Sequence, residues 1–64
     1  VSQSPRLKAS FTVAEVATEA REVAKRIGGE MPMSDFDRER QARIIDRLAE
    51  ELTEAAADLR SADS

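Results

Sequence analysis

Sixty-four residues without cysteine, histidine, tryptophan or tyrosine make at most one small domain. They exclude disulfide staples, thiolate or imidazole metal sites, and serine–histidine or cysteine nucleophile chemistry. Thirteen acids against ten bases leave a formal charge of -3, which argues against wholesale coating of nucleic acid.

The longest uncharged run is far shorter than the ~20 apolar residues of a membrane span, and no basic stretch leads into an apolar one as in a signal peptide. The expectation is a cytoplasmic chain with no membrane partner. Val1 in place of Met fits a processed product or a piece of a longer protein.

Residues 1–10, VSQSPRLKAS, read as a flexible arm rich in serine with one proline. A second reading is a short strand, because Leu7, Ala9, Phe11 and Val13 alternate with Arg6, Lys8, Ser10 and Thr12. Thr12 then has the signature of a helix N-cap. Glu15 stands at the capping-box spacing, and Phe11 and Val16 at the hydrophobic-staple spacing. The first helix is expected over 12–27. Lys25 and Arg26 suit its C-terminal dipole, and Gly28 stands where a left-handed cap residue would follow. Its apolar seam is Val13, Val16, Ala20, Val23 and Ile27, spaced as an a/d heptad and widened by Ala17 and Ala24.

The connection 28–33 is GGEMPM. Pro32 keeps Met31 out of helical conformation. Met31 and Met33 are expected to plug the end of a hairpin core, with an adaptable exposed contact as the other reading. The second helix is expected over 34–60, capped by Ser34, with Asp35 and Asp37 at its positive end. Its seam is Ile45, Leu48, Leu52, Ala55 and Leu59. Ile44, Ala49 and Ala56 flank the seam, and Phe36 shares a face with Ile44. Residues 61–64 should fray.

The fold class is therefore all-α: an antiparallel helical hairpin, helix–loop–helix, that completes a four-helix bundle by dimerisation. Two stripes alone do not enclose a core, and a domain this small lacks other staples. A first helix starting at Thr12 would leave Ala55, Ala56 and Leu59 overhanging, to be covered by residues 1–11 or by another chain. The expected interface residues are Val16, Val23, Ile27, Met31, Met33, Phe36, Ile45, Leu48, Leu52 and Leu59.

Arg40, Arg43 and Arg47 fall in one sector of the second helix and form a candidate clamp for an anion or a partner's carboxylates. The plainer reading is a solvated face with local pairs such as Glu39 with Arg43. Basic residues fill the first half of that helix and acidic ones the second, so two copies side by side and antiparallel would match in charge.

Asp35, Asp37 and Glu39 imitate the start of a calcium loop, but Arg40 stands where that loop needs glycine. The acids Glu19, Glu22, Glu50, Glu51 and Glu54 lack the histidines of a bundle metal site. No catalytic set, cofactor or small-molecule substrate is expected. The chain reads as a non-catalytic protein–protein interaction module, a hairpin that dimerises, docks, or acts as adaptor or inhibitor. The partner is itself, another protein, or both.

An alternative rests on a pattern-level likeness. The order strand–helix–helix over residues 6–50 resembles ribbon–helix–helix DNA-binding regulators, including acidic antitoxins. It implies a ribbon over residues 6–13 that presents Arg6, Lys8 and Ser10 to DNA. The second helix is longer than that fold uses, and GGEMPM is a longer connection.

Overall fold

A serine followed by a proline starts the first helix. Ser4 is extended (φ -69°, ψ 149°), and its Oγ accepts a hydrogen bond from the Leu7 N–H at 3.1 Å. Its carbonyl accepts from the Lys8 N–H at 3.0 Å. Pro5 takes the first helical position, where a missing N–H costs nothing and a fixed φ helps. The computed structural model describes residues 4–62, and α1 runs Pro5–Ile27.

The start at Pro5 corrects three expectations. Residues 5–10 are neither arm nor strand but helix, and Thr12 is mid-helix rather than a cap. The physical reason is propensity. Arg6, Leu7, Lys8 and Ala9 all favour helix, and with Ser4 capping the start, the Thr12 N–H has a ladder partner already. Residues 1–3 of the expected arm lie outside the described residues. Removing the cap with Ser4→Ala is expected to cost about 1 kcal/mol. The check is faster amide exchange at Leu7 and Lys8 and a lower helical signal, with Ser4→Asp restoring both.

Gly28 closes α1 without the left-handed turn that its position suggests. Its φ is -82° and its ψ 0°, and its N–H still reaches the Ala24 carbonyl at 2.9 Å. No described residue has positive φ. Glycine serves here for space instead: a Cβ would sit 3.1 Å from the Ala24 oxygen.

After the connection, Ser34 repeats the first cap. Its Oγ accepts from the Asp37 N–H at 3.1 Å and its carbonyl from the Arg38 N–H at 3.0 Å. Asp35 and Asp37 occupy the first turn of α2, which runs Asp35–Ala62, so Ser61 and Ala62 are helical rather than frayed. Residues 63 and 64 of the expected tail lie outside the described residues.

At 1.5 Å per residue, 23 and 28 residues make helices of about 35 Å and 42 Å. They pack side by side and antiparallel, with Lys8 Nζ 4.0 Å from Asp58 Oδ2 at one end of the hairpin. The expected overhang is therefore absent. The early start of α1 carries it to the end of α2, and Ala9 and Ala55 are both buried there.

The buried core is small. It comprises Ala9, Val16 and Val23 on α1, and Leu48 and Ala55 on α2. Each set repeats at seven residues, the spacing of one column in a heptad. Only Val16, Val23 and Leu48 in it are larger than alanine. The hairpin is a rod of 47 × 17 × 15 Å with a radius of gyration of 14.9 Å, against about 11 Å for a compact domain of this length.

Candidate docking face

The column Ala9–Val16–Val23 divides α1 into two sides, and Leu48–Ala55 does the same for α2. On one side the neighbouring positions are polar. Thr12 and Glu19 of α1, and Asp37, Gln41, Glu51 and Asp58 of α2, are half-buried there, with Ile44 the one large apolar residue among them. Two ion pairs cross between the helices on this side. Arg47 donates from Nη2 to Glu19 Oε2, and Lys8 meets Asp58.

The other side is apolar and open. Val13 and Ile27 of α1 and Ile45, Leu52 and Leu59 of α2 are each between 43 % and 49 % exposed. Ile27, Ile45 and Leu52 border a groove whose floor is Val16, Val23 and Leu48 and whose walls include Ala20, Ala24 and Ala49, while Val13 and Leu59 line a second hollow with Ala9 and Ser10. One step further out the next column is small along most of its length: Ser10, Ala17 and Ala24 on α1, and Ala42, Ala49 and Ala56 on α2, with Asp35 at the start of α2 the exception.

This arrangement revises the seams read from the sequence. Val16, Val23, Leu48 and Ala55 do lie between the two helices. Their seam partners Val13, Ala20, Ile27, Ile45, Leu52 and Leu59 do not; they are exposed along the groove. The strip that one helix covers on another is narrower than the apolar sector each helix carries. Contact on the polar side lets Glu19–Arg47 and Lys8–Asp58 form, and it leaves Ile27, Ile45 and Leu52 on one open face, with Leu7 and Phe11 exposed elsewhere on α1.

The connection does not plug the core end with both methionines. Met31 is 81 % exposed, Met33 is half-buried, and Phe36 is 75 % exposed at the start of α2. Pro32 and the Ser34 cap hold this segment away from the helices' contact strip, so Met31 and Phe36 add apolar surface at the turn end.

Two of the three arginines are engaged by carboxylates of this chain. Arg47 is engaged by Glu19 of the other helix, and Arg43 Nε lies 3.2 Å from Glu39 Oε1 on its own helix. Arg40 is exposed beside them. Arg38, at the head of the basic half, pairs with Asp35. Arg6, Lys8 and Ser10 lie on α1, so residues 6–13 form helix instead of the ribbon that a ribbon–helix–helix arrangement needs.

Among the described residues no group of three or more acids is placed to hold a metal ion, and no helix is long and apolar enough to cross a membrane. No protein family, curated protein or solved structure matches the chain.

The pairs Glu19–Arg47 and Lys8–Asp58 were not anticipated from the sequence. The available signal was the position of Thr12 and Glu19, three residues after Ala9 and Val16, which is the d column if Ala9 and Val16 are a. Reading only apolar residues into the seam passed over it.

Proposed function

We propose that the chain is a non-catalytic protein–protein interaction module whose open apolar face docks on other helices. Two hairpins meeting there, or one hairpin meeting two helices of another protein, form a four-helix bundle. The core of such a bundle contains the columns on both sides of each seam: Val13, Val16, Ala20, Val23 and Ile27 with Ile45, Leu48, Leu52, Ala55 and Leu59. In this reading the heptad seams describe the bundle, and the two-helix contact uses only half of each.

The observation that carries the reading is alignment. Large apolar residues scattered singly over a surface are ordinary. Here Ile27, Ile45 and Leu52 line one groove, and Val13 and Leu59 line a second hollow with Ala9 and Ser10; a contiguous apolar patch marks a contact surface. The residue inventory favours binding over chemistry, since the chain has no cysteine or histidine to act as nucleophile or base.

The test is thermal unfolding followed over a wide range of chain concentration, together with binding of a dye that fluoresces on apolar surface. A docking module shows a midpoint that rises with the concentration of its partner, which for self-association is the chain itself. A dilute chain without a partner binds the dye. A monomer that unfolds sharply above about 65 °C at every concentration, with no dye bound, sinks the proposal.

A further inference from the structure

Resting on the docking face just described, we infer that its occupant is a second copy of this chain, seated about a twofold axis parallel to the helices, so that α1 of each copy lies along α2 of the other. Three observations carry this.

The first is area. The chain exposes 5395 Å², whereas a compact monomer of 7.0 kDa exposes about 4,000 Å². The excess exceeds the ~800 Å² per partner of a stable standard-size interface. A second copy offers the same excess in the same shape, as a twofold contact requires.

The second is register. Lys8–Asp58 and Glu19–Arg47 set one antiparallel alignment, each step up α1 matching one step down α2. In that alignment Ser10, Ala17 and Ala24 stand level with Ala56, Ala49 and Ala42. Within one hairpin these two columns stand on opposite rims of the groove, and Ala24 and Ala49 edge it. A twofold axis along the groove keeps the levels and brings each rim onto the other copy's opposite rim. Small residues then meet small residues along the contact, so the helices approach closely, while Ile45, Leu52 and Leu59 of one copy fill the space over Ala20, Val13 and the start of α1 of the other.

The third is charge. Arg21 and Asp46 are both exposed, and neither has an ion-pair partner among the described residues. Each lies one column beyond the small rim, and they stand level to within one residue. The same axis brings them together across the contact twice, in the flanking position that sets orientation in helix pairs.

The chain has no cysteine, so oxidative cross-linking reads the arrangement directly. The full chain carrying Ala17→Cys and Ala49→Cys together is expected to form a covalent dimer under mild oxidation, because small residues directly opposed on closely packed helices come within reach of a disulfide. The cross-linked fraction should exceed that of either single variant by at least about tenfold, since each single variant faces alanine. The unmodified chain should sediment at twice 7.0 kDa.

Cross-linking by Ala17→Cys alone overturns the arrangement in favour of α1 against α1. A sedimenting dimer whose double variant does not cross-link overturns it as well. A chain that remains monomeric at about 100 µM, well above the Kd of an obligate pair, overturns the second copy as occupant and leaves the docking face to a different protein. Adding Leu52→Asp to the double variant separates the two readings. Loss of the cross-link agrees with both. An undiminished cross-link shows that Leu52 lies outside the contact between copies, and the docking face itself then falls.

Discussion

Leu48→Asp is expected to unfold the chain. Leu48 is 5 % exposed and is the only buried residue of α2 larger than alanine. It forms the groove floor with Val16 and Val23, and no cation of the described structure lies on that floor to meet a carboxylate. A buried, unpaired carboxylate costs several kcal/mol even after relaxation. Against this the hairpin has only Val16, Val23 and Leu48 as large buried groups, each supplying roughly 1.5–3 kcal/mol when fully buried. Once α1 and α2 separate, neither persists, because an isolated helix of this length is marginal in water.

Circular dichroism should therefore show most of the helical signal gone at 25 °C. Leu48→Ala is the graded version, at about 2–5 kcal/mol, and Leu48→Met should cost under about 1.5 kcal/mol. Retained helicity in the aspartate variant would place the contact between the helices elsewhere.

Leu52→Asp is expected to separate folding from docking. Leu52 is one turn further along the same helix, yet it is 43 % exposed and borders the groove instead of flooring it. In the free hairpin an aspartate there remains in water, so the contact around Val16, Val23 and Leu48 is untouched. In an assembled bundle it lies in the core without a partner. Stranding one buried charge costs roughly 3–5 kcal/mol, or about two to four orders of magnitude in Kd, and a symmetric dimer incurs this twice.

Sedimentation equilibrium should show association lost at concentrations where the unmodified chain is assembled. Ala57→Asp, on the exposed back of α2, should leave assembly unchanged. Equal effects of the two substitutions would mean that the open face is not the surface in contact.

How far the sequence was legible follows from which interactions are local. The second helix was read to within two residues at either end, because Ser34, Asp35 and Asp37 act on the first turn alone and no Gly or Pro interrupts the run to Ala62. The first helix was read short. Its true start is also local, a Ser4–Pro5 cap, but the serines and proline around it suggest an arm, and Thr12–Glu15 imitates a start where a helix is already running. Proline reads as punctuation by type, yet Pro5 occupies the first helical position, which tolerates it.

The heptad columns were legible and their pairing was not. Periodicity identifies Val16, Val23, Leu48 and Ala55 with Val13, Ala20, Ile27, Ile45, Leu52 and Leu59 as one apolar sector per helix. It does not say which edge of that sector meets the other helix. That depends on contacts between residues far apart in the chain, among which are Glu19 with Arg47 and Lys8 with Asp58.

By itself, then, the sequence determined two amphipathic helices, the Ser34 cap of the second, the antiparallel turn and the absence of cysteine and histidine chemistry, since each depends on residue type or on neighbours within a turn. Tertiary structure alone decided that the helices meet along the polar edge of their apolar sectors and turn the rest outward on one side. A helix covers only one strip of its neighbour, and the choice among strips rests on contacts between residues that only folding brings together.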